Sequence, residues 1–217
     1  MAVSPVDICN LALSSLGDPA GISSIEPPDN SAQAHYCATY YPIALQTALS
    51  HGWSFATRRA ILAQIAPDTE DWLYCFKLPL DNVSVVSVNN GLTEFSQELH
   101  SSNVSCIYTN EPDVQISYIS NTPPSGMYPP LFIEVLSLTL QYFLAGSIIK
   151  GDVGVSAKNS IYKLLQVALA AAKNKDSMSY RPQVKYIPSI TRVHDGVFQV
   201  PAGETDPYYP SGYSVVQ

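Results

Sequence analysis

The sequence predicts an α+β protein: an antiparallel four-helix bundle with a small antiparallel β insertion and an extended C-terminal arm. Three observations carry that expectation. Apolar residues recur at three-to-four spacing in four stretches, two near the start and two late in the chain. Between them the pattern turns to alternation among aromatic and β-branched residues. Beyond Tyr180 the chain is dense in proline and large aromatic residues, and proline removes backbone donors that a helix needs.

The first helix is predicted over "SPVDICNLALSSLG". Ser4 caps it, Pro5 suits its first position and Asp7 stands three residues after the cap. Val6, Cys9, Leu13 and Leu16 share one face, and Gly17 with Pro19 stops it. "DPAGISSIEPPDN" is a loop. A second helix then runs from a cap at Asp29, Asn30 or Ser31 to about His51, with a kink or break expected near Tyr41 because Pro42 lies inside it. Its apolar face holds Ala34, Cys37, Ala38, Tyr41, Leu45 and Ala48, and Gly52 ends it.

Extended chain follows. "WSFATRRAILAQI" begins with alternation, "WLYCFKLP" and "NVSVVSVN" are strands, and "LTEFSQELHSSNVSCIYTN" holds two shorter strands with a turn near Ser101 to Asn103. "DVQISYIS" is a further strand. "NTPPSGMYPP" leads into an apolar helix over about Leu131 to Lys150, expected at the centre of the bundle rather than in a membrane. Gly151 and Gly154 break it, and Ser156 caps a last helix to about Asp176. Ile161, Leu164, Leu165, Ala168 and Ala172 form its expected inner stripe, while Lys158, Lys163, Lys173 and Lys175 face out or crowd its end. Residues 1–52 and 128–180 thus make the helical part, 53–127 the β-rich insertion and 181–217 the arm.

Composition narrows the function. Charged residues are 13% of the chain, about half the usual ~25%. Surface must therefore be uncharged polar or covered by other chains. The net charge of −7 argues against a basic nucleic-acid-binding face, which needs clustered Lys and Arg. It is compatible with DNA passing nearby, since an acidic wall repels phosphate. The N-terminus shows no basic n-region and no apolar h-region, so no signal peptide is expected. The four cysteines, Cys9, Cys37, Cys75 and Cys106, show no CxxC spacing and are expected as small buried hydrophobes.

Signatures of catalysis are missing. His35, His51, His100 and His194 include no i, i+4 pair, and GxSxG, GxxxxGK[ST] and GxGxxG do not occur. The acid clusters Asp68, Glu70, Asp71 and Glu111, Asp113 sit in turn-like stretches and are expected as solvated loop charge. Glu134 opens the apolar helix, where the helix dipole favours a negative charge. Arg58 and Arg59 form the one basic pair before the tail, a weak patch for nucleic acid and a fair one for an ion pair across a subunit boundary. No enzyme activity, metal or other cofactor is expected.

Several stretches together resemble the tail tubular protein A family, the head-to-tail adaptors of short-tailed bacteriophages. "ICNLALSSLGDPAGISSIEPPDNSAQAHYCATYYPIALQTALSHGWSFATRRAILA" is similar to the family's opening: a short helix ending in Leu-Gly, a loop, then a helix running into Gly-Trp-x-Phe-Ala and an arginine. "YCFKLPLDNVSVVSV" resembles its aromatic–x–Leu-Pro-x-Asp strand pair. "VQISYIS" followed by "YPPLFIEVLSLTLQYFLAGSIIKG" resembles its Tyr-Ile strand and the Pro–x–Phe start of an apolar helix. The resemblance covers about residues 4 to 178.

The resemblance implies a virion protein made in the host cytoplasm. It implies a homo-oligomeric ring, a dodecamer, at the portal vertex: a head–tail connector bridging portal protein and tail nozzle, with viral double-stranded DNA passing through without specific contacts and no membrane involved. A ring needs heterologous interfaces. Given the ring that the resemblance implies, the aromatic arm is expected to wrap the portal or a neighbouring copy through Arg181, Tyr186, Ile190, Arg192, Phe198, Tyr208, Tyr209 and Tyr213, with Arg58 and Arg59 at an inter-subunit contact and the β insertion facing the tail. The alternatives are another ring-forming tail completion or stopper protein, and a tail-associated peptidoglycan hydrolase.

Overall fold

A computed structural model describes residues 3–19, 21–91 and 93–179. Its helices are α1 (Pro5–Ser15), α2 (Ala32–Ser50), α3 (Pro130–Ile148) and α4 (Asp152–Ser179). Seven strands lie between α2 and α3: β1 (Thr57–Ile61), β2 (Gln64–Ile65), β3 (Tyr74–Lys77), β4 (Asn82–Val88), β5 (Phe95–Leu99), β6 (Ser105–Thr109) and β7 (Gln115–Ser120). The expected arm, 181–217, lies outside the described residues.

Local chemistry sets the helix ends. Asp7 N donates to Ser4 Oγ at 3.1 Å and Ser4 N donates to the Asp7 carboxylate at 2.9 Å, closing a capping box at α1. Gly17 takes φ +82° just beyond its end. Ser31 caps α2 through Ala34 N at 3.1 Å. The expected break at Pro42 does not occur: α2 runs unbroken from Ala32 to Ser50 with Pro42 on its exposed side. There the one donor that proline lacks is lost without ending the helix.

α3 is the centre of the helical part. Phe132, Val135, Leu136, Leu140 and Leu144 are fully buried along it, and α1, α2 and α4 each pack against it. By length and composition α3 is apolar enough to cross a membrane; here its apolar surface meets three helices. Tyr40 of α2 stacks on Phe143 at 6.2 Å while Trp53, past the end of α2, meets Phe132 at 5.1 Å, so α2 and α3 are antiparallel. α4 returns along α3 after Gly151, which turns at φ +76°. α2 and α4 therefore run parallel to each other, flanking α3.

Three details of α4 depart from the sequence reading. It starts at Asp152, so Gly154 and Ser156 lie inside it instead of breaking and capping. Gly154 is required for another reason: a Cβ there would stand 2.2 Å from the Ile149 carbonyl oxygen. Leu164, expected on the inner stripe, is 59% exposed.

The strands form two antiparallel sheets, β1-β7-β4 and β2-β3-β6-β5. Phe76 and Ile107 from the second sheet meet Val88, Ile116 and Tyr118 from the first, making a core between them. Through Ile119 and Val83 the first sheet also joins the helical core. On the far side of the second sheet, Cys75, Cys106 and Tyr108 are covered by Ile65, Trp72 and Val104. Asn103, at φ +59°, makes the β5–β6 turn.

The expected four-helix bundle with a small β insertion is therefore incorrect; the fold is an α+β mixture of four helices and two antiparallel sheets. Two physical reasons account for the difference. β3 and β6 are apolar on both faces, so the second sheet is buried on both sides and builds cores of its own. The helices do not close around a shared centre: α3 touches all three others, while α4 makes no comparable contact with α1 or α2.

Candidate functional site

The quoted family-like motifs sit at the joints between elements. Gly52 takes φ +75° at the end of α2 and delivers Trp53 into the helical core. Trp53 Nε1–H donates to the Ala48 carbonyl at 2.7 Å. Phe55 packs on Phe132 at 4.8 Å and on Tyr128 at 5.9 Å. α4 closes the joint from outside. Lys173 Nζ donates to the Gly52 carbonyl and lies 5.2 Å from the Trp53 ring, and Asp176 accepts from Ser54 N at 3.1 Å. Lys173 was expected to face out or crowd the end of its helix; it is half-buried and reaches the joint after α2.

The Leu-Pro-x-Asp motif is a latch. Pro79 and Leu80 turn the chain from β3 to β4 and place Asp81 beside the end of β7. Its carboxylate accepts from Ser120 Oγ at 2.7 Å, Tyr118 Oη at 3.1 Å and Arg58 at 3.3 Å. Its own carbonyl accepts from Asn121 N at 2.8 Å. One turn thereby ties β1, β4 and β7 together.

Arg58 thus has a partner within its own chain, and also reaches the Thr122 carbonyl at 3.5 Å. Arg59, beside it on the edge strand β1 and opposite Ser117, is exposed. A charged edge strand resists pairing with another sheet. The remaining predicted contact residues, Arg181, Tyr186, Ile190, Arg192, Phe198, Tyr208, Tyr209 and Tyr213, lie outside the described residues.

Asp68, grouped in the sequence with solvated loop acids, has a structural task. It accepts from the buried Tyr108 hydroxyl and from Ser101 N at 2.6 Å, and His100 Nε2 stands 3.8 Å away. The Tyr108 bond first, then the Ser101 N–H, hold its carboxyl down at about 2. Glu70, Asp71, Glu111, Asp113 and Glu134 are exposed.

The cysteines are buried in two neighbouring pairs, Cys9 with Cys37 and Cys75 with Cys106. The hydrogen bond to Cys37 and burial push the Cys9 thiol well up. Burial first, then the Cys75 bond, push Cys106 up to about 12. Both groups stay protonated thiols, which are poor nucleophiles and poor metal ligands. Among the described residues no group of three or more His, Cys, Asp or Glu is arranged to hold a metal ion. A wide, shallow hollow of about 440 Å³ lies over α1, lined by Asp7, Asn10, Leu11, Ser14 and Asp18. There Asp7 is engaged in capping and Asp18 accepts from Gln33 at 3.0 Å.

No protein-family model matches the chain, and no curated protein matches it.

Proposed function

We propose that the protein is a structural head-to-tail adaptor of a bacteriophage virion, forming a ring between portal and tail nozzle through which genomic DNA is ejected. The observation that carries the reading is the position of the family-like motifs. Gly52-Trp53-x-Phe55-Ala56 and Leu78-Pro79-Leu80-Asp81 are short strings, but each one sets a joint of the fold. Motifs that set joints bear on the fold more directly than composition does, and it is their order along the chain that resembles the family. The placement of acids and thiols fits the same reading: Asp68 and Asp81 hold strands together, and the thiols are sealed in cores. In this reading the ring is a dodecamer, DNA passes without specific contacts, and the arm 181–217 reaches the portal or a neighbouring copy.

The test mixes the purified protein with its cognate portal ring and images the product by electron microscopy. A second, coaxial ring under the portal is the expected result. Deleting residues 181–217 is expected to abolish portal binding and leave the circular dichroism of the helices unchanged. No association with an intact portal ring would overturn the adaptor reading, and would move the protein to a more distal tail position.

A further inference from the structure

The fold sorts all four cysteines of the chain into two hydrogen-bonded pairs. Each of the four is fully buried. Cysteines scattered through a core as small apolar fillers have no cause to meet one another. The two pairs differ in geometry, and the difference decides what each can do.

Cys75 and Cys106 lie on the neighbouring strands β3 and β6 but not opposite each other. Cys75 pairs with Tyr108 and Cys106 with Lys77, so the two thiols are diagonal neighbours on one face. Diagonal Cα atoms in an antiparallel pair stand ~7–8 Å apart. A disulfide spans Cα separations of about 4.4–6.8 Å, so this pair does not close without moving the ladder. Cys9 and Cys37 lie instead on two helices, α1 and α2. Their thiols share a hydrogen bond, and Cys9 stands close enough to Tyr41, one turn beyond Cys37 on α2, to act on its hydroxyl. Ala12 and Ala34, one turn along each helix from these cysteines, are buried as well. Helices that meet through small side chains approach to ~8 Å between axes, and each Cα lies about 2.3 Å from its axis. Facing Cα atoms at such a contact fall inside the disulfide range.

We propose that Cys9 and Cys37 are a latent disulfide, a modification site that closes between α1 and α2 when the protein passes from a reducing to an oxidising medium. The oxidant is a low-molecular-weight disulfide. The Cys9 S–H donates to Cys37 and holds the Cys37 thiol down against its burial, so Cys37 attacks first. Its thiolate displaces one thiolate from the oxidant and leaves a mixed disulfide. Cys9 then gives up its proton and attacks Cys37 Sγ, and the second small thiolate leaves. Two protein thiols lose two electrons and two protons, and one small disulfide becomes two small thiols. Both sulfurs are covered, so the reaction waits on α1, a helix of 11 residues, lifting from the core. The closed bridge links positions 28 residues apart and encloses the loop between the two helices. Closing a loop of that length restricts the unfolded chain and shifts the unfolding equilibrium by about a hundredfold. The bridge goes beyond the adaptor reading and does not depend on it, since it needs no portal and no second copy.

The test oxidises the reduced full chain with oxidised glutathione, in buffer and again in urea below the unfolding transition. The product is alkylated in denaturant and its mass measured. Four alkylated thiols are expected before oxidation, and two afterwards together with a proteolytic fragment joining Cys9 to Cys37. Closure is expected to be faster in the low urea. The oxidised protein is expected to unfold at higher urea than the reduced one, and dithiothreitol to restore the lower midpoint. Cys37→Ala is expected to abolish that rise and Cys75→Ala to leave it. Four thiols surviving in both conditions, a glutathione adduct that stops short of the bridge, closure of Cys75 with Cys106, or a Cys9–Cys37 bridge that leaves the midpoint unchanged or lower each overturns the proposal.

Discussion

Asp81→Ala tests whether the β3–β4 turn is the latch that holds the first sheet. The carboxylate serves two buried hydroxyls, Ser120 at 2.7 Å and Tyr118 at 3.1 Å, and the half-exposed Arg58 at 3.3 Å. Hydrogen bonds to a charged group contribute about 1.5–3 kcal/mol each. Ser120 keeps Thr122 as a partner at 3.2 Å and Tyr118 keeps Arg58, so both losses fall at the low end. The exposed Arg58 pair adds under about 1 kcal/mol. The total is about 3 kcal/mol, a large share of the ~5–15 kcal/mol typical of a folded domain. Urea unfolding is the assay, followed by the fluorescence of Trp53 in the helical core and Trp72 in the β part. Asp81→Asn retains one acceptor oxygen and is expected to lose about half as much. Tyr118→Phe alone is expected to cost about 1 kcal/mol, and combining it with Asp81→Ala to cost less than the sum. A loss below about 1 kcal/mol for Asp81→Ala, on the scale of an ordinary surface change, refutes the latch.

Three further perturbations have defined outcomes. Gly154→Ala drives a methyl group into the Ile149 carbonyl oxygen and is expected to destabilise by about 1–3 kcal/mol in thermal unfolding, whereas Gly146→Ala, with open space around it, is expected to be neutral or stabilising. Trp53→Phe removes the donor to the Ala48 carbonyl and is expected to cost about 1–3 kcal/mol; no change in urea midpoint would show that the indole N–H is dispensable. Asp68 is held near 2 in the folded chain against about 3.8 in the unfolded one, so the unfolded state binds more protons between those values. Its contribution is present above about pH 4 and is lost as pH falls from there toward 2. Asp68→Asn is expected to flatten that acid limb of the stability profile, and an unchanged slope would contradict the assignment.

The sequence states its helices through features that act within one turn. Ser4 with Asp7, Pro5, Ser31 and Gly151 each fix a boundary by a bond or dihedral that involves near neighbours. Gly154 misled because glycine there is required by the tight turn between α3 and α4, where the carbonyl of Ile149 at the end of α3 stands against it, and not because the chain breaks at that position. The β part was legible as strands and illegible as sheets. Alternation in "YCFK" shows two faces, but not that Cys75 and Phe76 would each meet a separate core. Leu164 was assigned inward because it is apolar, and periodicity cannot separate an inner stripe from an outer seam a quarter-turn away. Asp68 and Asp81 look alike in sequence to any loop acid. Their partners, Tyr108 and Tyr118, lie 40 and 37 residues further along, and only the folded register brings them together.

The chain leaves the helices at Thr57 and comes back at Ser120, and these ends are neighbours, since Thr57 pairs with Ile119 across β1 and β7. Everything between them hangs from a two-strand stem whose feet stand about 5 Å apart. The helices sense that separation and the side chains of Ile119 and Val83, through which the first sheet joins their core. A different set of strands with the same footing fits the stem without reopening the helical layer, and the closing of the long loop is already met by the stem itself. Evolution can therefore recut this half of the protein as a unit to suit a changing neighbour, while the half built on α3 stays as it is.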